Sequence, residues 1–327
     1  MGSRNTRWSR MSKSKIALIG VIEEYLTVCR IEGKSPATLR WYREKLSRFG
    51  RWVDDGKIED FSIQLVRSYV EHLQGEVKYA DHPKHQSGPD GISAQTIRGH
   101  VQTLKGFATW LCEEEYTTTN ILERLKLPKA PKKVMQTLTD EEVARLISCI
   151  DDKTLTGSRD LSILLLFLDT GMRCAELGGL LVKDVSLEDQ CMRVMGKGQK
   201  ERIVPFGSRS ARELIRYLNL RGQPGPNQTL FADIDGNLLS YNAIRKVFER
   251  LANKAGIPRL HVHLMRHTFA TNYLRTSGNP FRLQRLLGHE TLEMTRRYVD
   301  MVRFEEVTKD HQFSPVDRMK LGRRGWS

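Results

Sequence analysis

Six residues in the second half of the 327-residue chain suit one reaction: Arg173, Lys197, His263, Arg266, His289 and Tyr298. Two guanidinium forks can neutralise the non-bridging oxygens of a phosphodiester as it becomes pentacovalent. A cationic lysine can protonate a leaving alkoxide, and imidazole can take or steer the proton of a nucleophile. A tyrosine hydroxyl can be that nucleophile. No acidic cluster fit to hold magnesium accompanies them, so no metal and no cofactor is expected.

Each residue also has a plainer reading. Arg173 follows an apolar run and a Thr-Gly turn, where an arginine can simply cap helix carbonyls. Lys197 lies between Gly196 and Gly198 at the tip of an expected hairpin, the setting of many solvent-exposed lysines, and Lys200 is a nearby competitor for the acid role. The Gly-Lys-Gly turn does not fit the phosphate loop of nucleotide-binding proteins. His263 and Arg266, three apart, share one face where their helix begins, and a histidine there can be a cap as well as a base. His267 reads as structural. Glu176, three residues past Arg173, suits an acceptor that orients Arg173 or His263, or a surface ion pair. A free tyrosine hydroxyl has a pKa of about 10, so Tyr298 needs cations or a base to attack.

The wording around these residues resembles the tyrosine recombinase (phage integrase) family. Asp169-Thr170-Gly171-Met172-Arg173-Cys174-Ala175-Glu176-Leu177 matches its TG-x-R-x-x-E-L box. Gly196-Lys197-Gly198 lies between two apolar runs. His263-Leu264-Met265-Arg266-His267 matches the H-x-L-R-H box, with methionine for the usual leucine. Leu286-Leu287-Gly288-His289 is followed nine residues later by Tyr298. The resemblance implies two successive transesterifications through a 3′-phosphotyrosyl link, with Lys197 protonating the departing 5′-oxygen. It gives His263 proton handling or phosphate contact and His289 a bond to a non-bridging oxygen. It further implies a double-stranded DNA target site and a homotetramer on synapsed DNA, monomeric or weakly associated when free. The compact length favours a simple Xer-like recombinase. The alternatives are a type IB topoisomerase-like enzyme and a catalytically idle DNA-binding regulator on the same fold.

Composition agrees with a polyanionic partner. The formal charge is +14 and the sequence pI is near 9.6, which points to nucleic acid but fits anionic lipid as well. The longest apolar run, Leu161 to Leu168, is too short for a bilayer span. Five cysteines without C-x-x-C spacing argue against a zinc site or a disulfide framework and for a reducing cytoplasm. His82 and His85 lack further ligands and read as loop residues.

The elements that must position the six residues are mainly helical. Residues 1–14 are polar and basic, with no apolar signal-peptide core, and are expected to be disordered. Residues 15–127 read as a helical, SAM-like DNA-binding domain. Helices are expected after Ser35, over Ile63–Leu73 and after Ser93, and a loop over residues 78–92. Arg40, Arg43, Arg98 and Lys105 are the basic candidates for DNA contact there. Residues 128–136 form a Pro- and Lys-rich linker whose Lys132 and Lys133 suit phosphates. Residues 137–327 read as the catalytic domain, opened by a Thr139/Glu142 capping box. Helices are expected over 140–150, 158–169 and 174–180, then from Ser210, Ser240, Arg266 and Pro280, with a small antiparallel sheet over 182–206. Lys200, Arg202, Arg296 and Arg297 are its further candidates for DNA contact. In the tail after residue 302, Phe304, Val307, Phe313 and Val316 offer anchors for a neighbouring protomer.

Overall fold

The computed structural model describes residues 16–54, 56–76, 91–131, 136–196 and 200–309, the last seven by backbone alone. Lys132, Lys133, Lys197, His82, His85, Phe313 and Val316 therefore lie outside the described residues, as do the side chains of Phe304 and Val307. The chain divides into two compact units between Lys133 and Val134, within the expected linker.

The first unit is four helices: α1 (Leu18–Ile31), α2 (Pro36–Val53), α3 (Ile63–Gly75) and α4 (Ala94–Glu113). Ser35, Ser62 and Ser93 cap α2, α3 and α4 by accepting the third helical N–H on their hydroxyls, each cap contributing about 1 kcal/mol. The core is aromatic, with Tyr25, Phe49, Phe61, Tyr69 and Phe107 in one buried cluster. Helix α1 was not anticipated from sequence. It starts at Ala17 with no capping side chain, so no local signal announces it.

The second unit begins with α5 (Asp140–Ser148), where the Thr139/Glu142 capping box forms as expected. It continues through α6 (Leu155–Thr170), α7 (Cys174–Gly178), strands β1 (Val185–Ser186), β2 (Cys191–Met195) and β3 (Glu201–Pro205), then α8 (Ser208–Leu220) and α9 (Tyr241–Ala255). Helices α10 (Val262–Ser277), α11 (Pro280–Leu287) and α12 (Glu293–Lys309) follow. The fold is mostly helical with a three-stranded antiparallel sheet in the order β1-β2-β3. In the β2–β3 register Arg193 faces Ile203 and Met195 faces Glu201, and the Gly196 N–H donates to the Lys200 carbonyl at 2.8 Å to close the hairpin. Met192, Val194 and Val204 point inward, as the two-residue period of a strand requires.

Helix α6 is apolar on nearly all sides because α8 and α10 pack against it. It begins at Leu155 rather than Ser158, since Thr154 supplies the cap. Helix α7 stops at Gly178, short of the expected residue 180, and α10 begins at Val262, a turn before Arg266. A smaller core of Phe269, Ala270, Leu274, Leu283, Leu287, Tyr298 and Val302 fastens α10, α11 and α12 together. Cys174 is buried beside Arg173, and burial pushes its thiol up to about 11, so it is an inert packing residue. No described helix is long and apolar enough to cross a membrane.

Candidate active site

Two helix ends build the centre of the site. Helix α6 ends at Gly171 (φ 58°) and α11 ends at Gly288 (φ 61°), both in the left-handed conformation that favours glycine. A Cβ on Gly171 would also collide with Phe269 and Leu287. Such endings leave carbonyls without helical partners, and the two arginines take them. Arg266, almost wholly buried, donates Nη1 to the Gly171 carbonyl at 2.8 Å and Nη2 to the Leu287 carbonyl at 2.9 Å. Arg173 donates Nη2 to the Gly288 carbonyl at 3.2 Å. The next residue along the chain is His289. Three separate sequence segments thus meet at the turn 287–289, and the carbonyl ends of two helices offset the charges held there.

The acidic partner is Glu176. Its carboxylate accepts the Arg173 backbone N–H at 2.7 Å and Arg173 Nη1 at 2.9 Å. Arg202 then grips both oxygens at 2.8 Å and donates Nε to the Leu286 carbonyl at 2.9 Å. Burial pushes the Glu176 carboxyl up, but the bonds and charge from Arg202 and Arg173 outweigh it and hold it below the ordinary carboxylate range. Arg202 is a half-buried brace between β3, α7 and α11, where the sequence had suggested a DNA-facing residue.

His289 is buried, and its Nδ1 lies 2.8 Å from the hydroxyl of the equally buried Thr295. Burial, with Arg266 and Arg173 adding their charge, pushes its imidazole down to about 3, so it is neutral at pH 7. His263, in the first turn of α10, is exposed; displaced water and the nearby Arg266 and Arg297 lower its pKa. Arg266 itself is pushed down to about 10, first by burial and then by the Arg173 charge. Arg173, Lys200, Arg202, Arg285, Gly288 and His289 line a cleft of about 600 Å³.

Tyr298, in α12, is fully buried and belongs to the small core of α10–α12. Its ring lies parallel to that of His289, with centroids 6.3 Å apart. Its hydroxyl lies 3.0 Å from His267 Nδ1 and 3.2 Å from Arg297 Nη2. The reading of His267 as structural therefore missed a direct contact. The signal was available, because 263 and 267 are one helical turn apart and share a face; their rings meet edge to face at 5.1 Å.

The remaining basic candidates differ in their surroundings. Arg40 is exposed on α2. Arg43 pairs with Glu23 at 3.3 Å across the surface, and Arg98 donates to the Pro128 carbonyl at 3.1 Å. Lys105 directs its ammonium at the carbonyls of Leu122, Glu123 and Leu125, at 2.7–2.9 Å, and so fastens the segment after α4. Lys200 is exposed. Arg296 is exposed near Glu293 and Asp300, and Arg297 reaches back over the Tyr298 ring.

Among known proteins, a profile described as the phage integrase family matches residues 136–303, and one described as a phage integrase N-terminal SAM-like domain matches residues 21–118. The chain belongs to the phage integrase family. Tyrosine recombinase XerD of Staphylococcus epidermidis is 31% identical over 90% of this chain and 98% of its own length. Tyrosine recombinase XerC of Xanthomonas axonopodis pv. citri is 29% identical over 86% of this chain and 92% of its own length. In fold the chain is similar to a lambda integrase dimer bound to a COC′ core site, with TM-score 0.68 and 19% identity over 88% of this chain and 78% of that one. It is equally similar to XerH bound to palindromic difH substrate, with TM-score 0.68 and 22% identity over 88% of this chain and 83% of that one. The family member described here is a tyrosine recombinase of the Xer type, an enzyme of site-specific recombination that cleaves and rejoins DNA.

Proposed function

We propose that the enzyme attacks one DNA strand with the Tyr298 hydroxyl and stores the bond as a 3′-phosphotyrosyl link, which the 5′-hydroxyl of a partner strand then reverses. The observation that carries this reading is the turn 287–289, where Arg266, Arg173 and His289 converge beside Tyr298. The guanidinium N–H groups of Arg173 and Arg266 that no carbonyl takes would hold the non-bridging oxygens, each charge-assisted bond giving about 1.5–3 kcal/mol. His289, neutral with Nδ1 on Thr295, would present its Nε2 edge to the same phosphate. His263 would contact the phosphate from the rim, and Lys197 would protonate the 5′-oxygen. Glu176 and Arg202 would hold Arg173 in register.

The link conserves the energy of the broken bond, so neither ATP nor a metal ion is required in this scheme. Charge and the exposed arginines support DNA contact by both units. Exchange of strands would need four protomers on two duplexes; the lambda integrase tetramer bound to a Holliday junction is a solved relative in fold. A cytoplasmic location fits the resemblance to Xer recombinases.

A nicked target duplex tests the reading. Wild-type protein should become covalently joined to DNA in excess EDTA without nucleotide, and Tyr298→Phe should bind the same DNA yet form no adduct. An adduct on Tyr298→Phe, or cleavage that returns only with added magnesium, would refute it.

A further inference from the structure

Among the described residues, the hydroxyl of Tyr298 has two hydrogen-bond neighbours, Arg297 and His267. Arg297 Nη2, 3.2 Å away, can only donate. The hydroxyl oxygen accepts from Arg297, which leaves its own hydrogen available to His267 Nδ1, 3.0 Å away. Donation in that direction goes with the His267 tautomer that keeps the lone pair on Nδ1 and the hydrogen on Nε2. We propose that His267 is the general base of the reaction, taking the Tyr298 proton on Nδ1 as the phenolic oxygen attacks phosphorus. The proposal rests on the reading of Tyr298 as nucleophile.

Geometry separates this role from that of His263. Tyr298 is fully buried, and a proton acceptor must already lie within its enclosure. His267 does so, whereas His263, one turn earlier on α10, is exposed at the helix start. The groups that face His267 are His261, His263 and Arg266 from α10, with Arg297 and Tyr298 from α12. Burial first, and then these charges, push the His267 imidazole down to about 4, so its lone pair is free at neutral pH. A base this weak becomes stronger when a phosphodiester anion settles beside Arg266 and Arg297 and offsets their charge. Proton transfer would thus be favoured only with DNA in place.

The step balances. The Tyr298 oxygen–phosphorus bond forms, the bond from phosphorus to the 5′-oxygen breaks, and the Tyr298 proton moves to His267. The 5′-oxygen leaves with a proton from the general acid, expected at Lys197. In rejoining, the 5′-hydroxyl returns that proton to the amine, and the departing phenolate recovers its own from His267.

Single-turnover adduct formation on nicked duplex, followed from pH 5.5 to 9.5, tests the idea with His267→Ala, His267→Asn, His263→Ala and Tyr298→Phe. Asparagine retains a hydrogen-bond acceptor at the reach of Nδ1 but cannot take a proton at these pH values. Both His267 variants should bind the duplex normally and cleave about 10²–10⁴-fold more slowly. Added imidazoles should restore His267→Ala, with rates that rise with the basicity of the imidazole. Near-wild-type cleavage by His267→Asn would overturn the proposal in favour of simple positioning. Faster cleavage by His267→Ala would overturn it in favour of a latch. His267→Asn, close in size and polarity, guards against misfolding of the alanine variant. An adduct on Tyr298→Phe would instead strike the nucleophile assignment itself.

Discussion

The Thr295 hydroxyl lies 2.8 Å from His289 Nδ1, and both side chains are buried. A hydroxyl that donates to Nδ1 leaves the ring hydrogen on Nε2, turning a neutral imidazole into a donor for a phosphate oxygen. Thr295→Val keeps the shape and removes the donor. We expect DNA binding and melting temperature to change little while cleavage falls about 10–100-fold, as for other groups that orient a ligand from behind. A single-turnover rate equal to wild type would remove Thr295 from the mechanism.

Arg202 makes a different prediction. It holds Glu176 by both oxygens in a buried setting, and removing one partner of such a pair costs about 3–5 kcal/mol. Arg202→Ala should therefore lower the melting temperature of the catalytic unit by roughly 10 °C, at about 2–4 °C per kcal/mol. Arg202→Lys should recover little, because a compact ammonium lacks the planar fork that meets both Glu176 oxygens while Nε reaches the Leu286 carbonyl. Calorimetry that finds Arg202→Ala as stable as wild type would contradict this account.

Acid should loosen the site before it unfolds the carboxylate network. His289 and His267 are held neutral, near 3 and 4, whereas the unfolded chain binds protons at the ordinary histidine value of 6.5. Below pH 6.5 the unfolded state carries more protons, so stability falls as pH drops toward 4. Glu176 acts lower, since its depressed pKa adds stability above the ordinary value of 4.5 that is lost as pH falls through the folded value. Denaturant midpoints measured from pH 8 to 5 should decline for wild type and decline less for His289→Gln. A flat wild-type profile would show that these rings are not buried neutral.

Basic residues of the first unit should sort into two kinds. Lys105→Met removes three bonds to carbonyls and should destabilise that unit by about 1–3 kcal/mol. Arg40→Ala leaves the fold alone, and if Arg40 meets a phosphate it should reduce the salt dependence of DNA binding by about one counterion. Melting curves and affinities at several salt concentrations separate the two.

The six candidates stood out in sequence because the family boxes keep type and spacing together, and the fold gathers Arg173, Arg266, His289 and Tyr298 around the turn 287–289. The caps at Ser35, Ser93 and Thr139 were legible for the same local reason. What the chain does not spell out is partnership across distance. Arg202 and Arg173 both carry a positive charge near glycine. Only the fold reveals that one closes on Glu176 from β3 while the other bridges to α11. Helix α1 escaped notice because its start carries no capping side chain, although Gly33 in the left-handed region marks its end. The spacing of His267 from His263 placed the two on one face, but its contact with Tyr298, 31 residues away in sequence, is a product of the fold.

The capping of two glycine-terminated helices by Arg266 and Arg173 has a consequence for the enzyme at rest. Like charges are held together by carbonyl dipoles, and burial first, then the Arg173 charge, pushes Arg266 down to about 10. An oxyanion bound beside Arg173 and Arg266 would offset the repulsion between these two charges. A DNA phosphate held there would therefore stabilise the catalytic unit as well as be cut by it, as any ligand that binds only the folded state does.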